Sequence, residues 1–278
     1  MEVVADPTEA SACFERALPV IRIDGGGAVR PGCPTFEGAR SSLDSLELAV
    51  GLTRSGAACG LVTGPVSKAQ LYAIGFTHPG QTEFVAERCG VAADKVAMML
   101  VGPTLRTVPV TTHIALRSVP DALSIELIVG KARTTIRGLK RQFGIARPRL
   151  AVAGLNPHAG EEGALGREEI DLIIPAIERL REEEAEVTGP YAADTLFHDR
   201  MRRTYDAALC LYHDQALVPF KTLHFDDGVN MTLGLPIVRT SPDHGTAFAI
   251  AGRGEAHPGA MLAALRTAAE CARRIARG

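Results

Sequence analysis

The stretch "RLAVAGLNPHAGEEG", residues 149 to 163, carries both a fold and a chemical question. An apolar run from Leu150 to Ala153 reads as a buried strand and stops at Gly154. Asn156, Pro157 and His158 follow, with small residues and glutamates after them. A helical pattern over 167–184, ending in an Arg/Glu run, comes next. A buried strand, a polar loop and a helix in that order form the unit from which parallel sheets are assembled.

Outward from that stretch the same alternation repeats. "PVIRI" (19–23) reads as a strand, and 36–54 sets Phe36, Ala39, Leu43, Leu46 and Val50 on one helical face. "CGLVTG" (59–64), "KVAMMLVG" (95–102) and "LRTVPVTTH" (105–113) read as further strands. A long helix is expected to start at Pro120-Asp121, with Leu123, Leu127, Ile136, Leu139 and Phe143 inward. "AALCLYH" (207–213) is a strand, and "NMTLGLPIVRT" (230–240) two short strands around a Gly-Leu-Pro turn. Residues 258–276 close the chain as an Ala-rich amphipathic helix. The pattern predicts an α/β protein with a mainly parallel sheet covered on both faces.

Composition narrows the function. The chain has 278 residues, a formal net charge of −2 and 5% aromatic residues. With no basic stripe and few aromatics, nothing points to a nucleic-acid partner. No apolar run approaches the ~18 residues that span a bilayer, so no membrane partner is expected. "MEVVADPTEA" lacks the charged and apolar regions of a signal peptide. The six cysteines are scattered without a CxxC, as buried thiols in a reducing, cytoplasmic setting.

Of the eight histidines, three end β-patterned runs: His113 in "VTTH", His158 in "LNPH" and His213 in "LYHD". Strand C-termini of a parallel sheet face one crevice, and ligands bind there. Three neutral imidazoles converging on it would make a catalytic metal site; singly, each is a hydrogen-bonded packing residue. Asp214 could orient His213, act as a base, or cap a helix. Arg239 could clamp an anion in fork geometry, or sit in a surface ion pair. "TGPVSKA" (63–69) suits an anion at a strand-to-helix turn. No GxGxxG lies between a strand and a helix, so an ordinary dinucleotide fingerprint is absent.

Taken together, "LVTGPVSK", "GQTEF", "TTH", "GLNPHAGEEG", "GREEID", "ADTLF", "YHDQALVPFK", "GVNMTLGLP" and "RTSPDHGTAFAIAGRG" resemble the 4-hydroxythreonine-4-phosphate dehydrogenase family of vitamin B6 synthesis. The resemblance implies a two-domain fold like the isocitrate and isopropylmalate dehydrogenases, with a central cleft. One domain would comprise 1–76 plus 246–278 on the cofactor side. The other, 77–245, would carry metal, substrate and dimerisation surfaces. It also implies a homodimer with a shared active site, NAD or NADP as cofactor, and a divalent metal (zinc, magnesium, manganese or cobalt). By motif, the metal histidines fall on His113, His158 and His213, and the substrate contacts on Gln81, Thr82, Lys221, Asn230 and Arg239. The cofactor contacts fall on His244, Gly245, Thr246 and Ala247. Asp214, Asp194 and Lys221 are the candidates for catalytic proton transfer or orientation. The implied reaction oxidises 4-phosphohydroxy-L-threonine to a 3-oxo acid, which decarboxylates to 3-amino-2-oxopropyl phosphate. A related acid substrate, a non-catalytic ligand-binding dimer and a metal-dependent hydrolase are the competing readings.

Three features depart from the family pattern. The chain opens at "MEVVADP", where relatives begin with an earlier strand and Gly-rich turn. A misassigned start or a truncation that exposes apolar surface is therefore expected. Gln81 stands where a substrate-contacting histidine is usual, and Ala249 where an acidic residue is usual. Gln keeps its hydrogen-bonding capacity but cannot carry charge.

Overall fold

A computed structural model describes residues 1–23 and 30–277. Two short parallel strands, β1 (Glu2–Val4) and β2 (Pro19–Ile21), pair at the N-terminus. The remaining strands form one eight-stranded sheet. They are β3 (Leu61–Val62), β4 (Ala97–Val101), β5 (Arg106–Pro109), β6 (Arg149–Ala153), β7 (Glu186–Tyr191), β8 (Ala207–Cys210), β9 (Val229–Leu233) and β10 (Arg239–Pro242). Their spatial order is β3-β10-β9-β4-β5-β8-β6-β7.

The β5-β8-β6-β7 half is wholly parallel, and β3 pairs parallel to β10. Antiparallel pairings are confined to β10-β9, β9-β4 and β4-β5. The cause is local: the Gly-Leu-Pro segment folds β9 back on β10, with Thr240 opposite Met231. Gly234 there has φ +90°, and a Cβ on it would stand 2.3 Å from the Lys95 carbonyl oxygen. Only glycine fits that approach.

Helices cover the sheet. The helix Phe36–Arg54 spans the predicted range and buries Ala39, Leu46 and Val50, but Phe36 of the expected inward face is 61% exposed in its first turn; Thr35 caps it, its Oγ1 accepting from Gly38 N. The expected long helix starting at Pro120-Asp121 is instead two. Val119–Ala122 is a short turn, and Ser124 in extended conformation starts Ile125–Phe143 afresh by accepting from Leu127 N. The inward stripe becomes Ile128, Val129, Ala132 and Leu139, while Leu127, Ile136 and Phe143 are half-buried. Burying each of the large aliphatic side chains contributes roughly 1.5–3 kcal/mol. The final helix, Gly259–Ile275, presents Ala260, Ala264, Ala268 and Cys271 to β10 and its neighbours. These small residues admit close approach, and Thr240 Oγ1 donates to the Ala264 carbonyl at 2.9 Å.

Three boundaries differ from expectation, each for a stated reason. The helix expected over 167–184 begins as a π turn, Glu169–Ile173, before the α-helix Ile174–Glu182. Pro175, having no N–H to donate, interrupts the regular ladder at that point. β7 went unread because Gly189-Pro190 punctuates "EVTGPY" as a loop would be. β8 ends at Cys210, so His213 is the first residue of the helix His213–Leu223, not the last of a strand. All six cysteines are free, and no helix among the described residues is long and apolar enough to cross a membrane.

Candidate active site

The site lies beyond the ends of β3, β10 and β5. Arg239 opens β10 and is 4% exposed. Its Nη2 donates to Thr63 Oγ1 (2.9 Å) and Gln81 Oε1 (3.4 Å), and its Nη1 to Thr232 Oγ1 (3.0 Å) and Thr82 Oγ1 (3.4 Å). No carboxylate pairs with it among the described residues. Burial lowers the guanidinium pKa to about 10, opposed by the more distant Glu83. A cation held by neutral oxygens in a dry site is a receptor for an anion.

Arg239 lines a cleft of about 440 Å³ together with Lys68, Gln81, His113, Asn230 and His244. Asn230 Oδ1 is buried there without a hydrogen-bond partner, a group waiting for a donor. Gln81 donates from Nε2 to the Gly64 carbonyl at 3.1 Å, so its amide bridges the loop after β3 to Arg239. Lys221 does not line this cleft. Its Nζ pairs with Asp243 at 2.8 Å, and Asp243 lines the cleft in its place.

His113 also lines a second cavity, of about 290 Å³, with Thr111, Tyr212, His213 and Asp214. The His113 and His213 rings lie 5.5 Å apart between centroids. Partial burial, reinforced by Lys68 and His213, lowers the pKa of His113 and favours the neutral imidazole that binds metal. His213 Nδ1 lies 2.7 Å from Asp214 Oδ1. An ionised carboxylate only accepts, so Nδ1 is the donor in that bond, which leaves Nε2 as the ring's other nitrogen for a ligand. His158 repeats the device, its Nδ1 lying 2.9 Å from Glu161 Oε2.

His158 is placed quite differently from that pair. Its side chain is 68% exposed, and no group of three or more His, Cys, Asp or Glu side chains forms a metal cage among the described residues. One chain therefore brings His113 and His213 together and leaves His158 apart. Residues 158–162 all have positive φ, four of them not glycine. Left-handed backbone costs roughly 1–2 kcal/mol per non-glycine residue, so this loop is held by its surroundings.

The cofactor candidates divide. His244 lines the anion cleft. Thr246 lines a third, of about 460 Å³, with Pro31, Gly32, Thr35, Ser67 and Phe248. Pro65, Val66 and Leu71 line both clefts, which are therefore contiguous. Gly245 and Ala247 line neither, and Ala249 is exposed in the turn Phe248–Ile250. Asp194 is exposed in the short helix Ala193–Leu196 and lines none of the three. Sequence reading passed over Thr63 and Thr232, the strongest partners of Arg239. Their signal is a hydroxyl in an otherwise apolar strand run. It also gave Glu161 no role.

The family model described as "Pyridoxal phosphate biosynthetic protein PdxA" matches residues 1–268. A 4-hydroxythreonine-4-phosphate dehydrogenase of Zymomonas mobilis is 58% identical over 269 residues, covering 97% of this chain and 80% of the relative. One from Erythrobacter litoralis is 57% identical, covering 99% and 82%. Among solved structures, that of a 4-hydroxythreonine-4-phosphate dehydrogenase from Klebsiella pneumoniae superposes with TM-score 0.87 at 36% identity, over 98% of this chain and 82% of that one. A terephthalate 1,2-cis-dihydrodiol dehydrogenase from Burkholderia xenovorans gives TM-score 0.68 at 28% identity, over 97% and 83%.

Proposed function

The chain belongs to the PdxA family of pyridoxal phosphate biosynthetic proteins, and from that premise we propose that it is an NAD- and metal-dependent 4-hydroxythreonine-4-phosphate dehydrogenase. The observation that carries the reading to this site is Arg239, a buried guanidinium with only neutral partners. It is a fixed cation for the anionic end of a phosphorylated substrate, with Lys68 lining the same cleft. Asn230 Oδ1 accepts from a substrate donor, and Gln81 and Thr82 hold the guanidinium fork in place.

The donor set fits a divalent metal. The His113 and His213 imidazoles lie side by side, and the carboxylates at His213 and His158 hydrogen-bond each Nδ1 and so orient the rings. His158 does not reach the pair within its own chain, so it completes the set of a partner copy in a homodimer. A zinc, cobalt, manganese or magnesium ion held by these imidazoles would supply Lewis acidity toward the substrate alcohol, with NAD or NADP as the hydride acceptor. The contiguous cleft at Thr246 and Ser67 supports a site for the dinucleotide beside the anion. Asp214 serves His213 as an orienting carboxylate. Lys221, paired with Asp243 on the cleft wall, is a further cation close to the substrate cleft and keeps its candidate role in substrate binding or proton transfer. The domain division at 1–76 plus 246–278 and 77–245, on the isopropylmalate-dehydrogenase plan, belongs to the same proposal.

The oxidised product is a 3-oxo acid, whose new carbonyl accepts the electrons released as CO₂ leaves. The names of the relatives favour this substrate over a related acid, a hydrolase or a non-catalytic dimer. The test is NADH formation from 4-phosphohydroxy-L-threonine, NAD and a divalent metal. Turnover that needs both metal and His158 supports the proposal. Folded dimer without turnover refutes it.

A further inference from the structure

Glu169 is 2% exposed, and no basic side chain pairs with it among the described residues. It sits on the π turn, within the "GREEID" segment to which sequence and site so far assign nothing. Its Oε1 accepts from Leu155 N (2.7 Å) and Asn156 N (2.8 Å), and its Oε2 from Asn156 Nδ2 (2.9 Å). Asn156 Nδ2 also donates to Glu168 Oε2 at 2.7 Å. A Cβ on Gly160 would stand 2.5 Å from Glu169 Oε2, and one on Gly154 3.2 Å from Oε1. The carboxylate is thus enclosed by Gly154 and Gly160, the glycines on either side of His158.

These contacts join two facts otherwise unrelated. The loop holds left-handed backbone from His158 to Glu162. A buried carboxylate grips its root through backbone N–H groups, which are strong charge-assisted bonds in a dry setting. We infer that Glu169, with Asn156, is a positioning residue for His158: it clamps the loop root so that the imidazole is presented outward in one orientation. This rests on the reading of His158 as a metal ligand. The wide π turn is part of the device, because it sets the carboxylate under Gly154 and Gly160.

The distinguishing experiment is Co²⁺ titration of the purified protein, followed by the d–d absorption of the bound ion. Wild type, Glu169→Gln, His158→Ala and their double variant are compared, with Asp171→Asn as control. Asp171 lies on the same turn but is exposed and paired only with Arg167. In Glu169→Gln the amide nitrogen faces the Asn156 amide, donor against donor. Affinity for Co²⁺ should fall about 10- to 100-fold, with an altered d–d band. The double variant should be no weaker than His158→Ala, since Glu169 acts through that ring. Asp171→Asn should bind as wild type. If Glu169→Gln does not fold, Asn156→Ala removes the side-chain bonds alone and should show the same non-additive loss. Wild-type affinity in Glu169→Gln, or losses that add to those of His158→Ala, would overturn the inference and leave the metal reading standing. Equal Co²⁺ affinity in wild type and His158→Ala would overturn both.

Discussion

The two halves of the site are made by opposite means. Around Arg239, everything comes from within one chain: β10 supplies the guanidinium, β9 Thr232, the loop after β3 Thr63, and the helix Gln81–Arg88 its first two residues. The side chain is buried and its donors are already aimed. Around His158 the chain offers an exposed ring on left-handed backbone, outside the His113–His213 pair. On the proposed reading, the anion receptor is preformed, whereas the metal ligand His158 is presented to a partner. A preformed pocket gains affinity by avoiding reorganisation, and a presented ligand makes the site conditional on assembly.

The largest expected effect breaks the first half. Arg239→Met should lower kcat/KM by on the order of 10³-fold, because a charged anchor worth several kcal/mol is lost. The thermal midpoint of the unliganded protein should rise, because a buried cation without a counter-ion is replaced by a thioether of similar reach. A parallel fall in activity and stability would show instead that Arg239 is structural.

Complementation attacks the second half. His158→Ala and His213→Ala should each be inactive alone. Unfolded, mixed and refolded together, they should regain about one quarter of the wild-type rate, since about half of randomly paired dimers contain one intact site. No recovery, with mixed dimers verified, would place all three histidines in one chain. Glu161→Gln sharpens the same point with a smaller change: metal affinity should drop about tenfold while the substrate KM stays unchanged. A rise in KM alone would mean that Glu161 faces substrate.

The smallest effect probes the sheet end beneath His213. Cys33 and Cys59 are exposed, whereas Cys13, Cys210 and Cys271 are buried. Burial also raises the thiol pKa of Cys210, and that of Cys271 to about 11. At pH 8 a thiol reagent should label Cys33 and Cys59 quickly and leave Cys210 untouched. Rapid labelling of Cys210 would show that the end of β8, beneath His213, opens more readily than its packing implies.

Local chemistry in the chain was legible wherever its cause is local. The helix Phe36–Arg54 followed from its period, the β9–β10 pair from Gly-Leu-Pro, and the three histidines from their place after apolar runs. Ser124 and Pro175 misled the reading because each resets a helix within a continuing apolar period. The identity of the candidate residues thus resides in sequence: an arginine, imidazoles and a Pro-braced loop are residue types in order. Their company does not. That Arg239 meets threonines and no carboxylate, that Lys221 is taken by Asp243, and that Glu169 reaches back beneath His158 all depend on contacts between residues distant along the chain. Side-chain type sets what a group can do, and only packing sets which groups it meets, at what distance and how far from water.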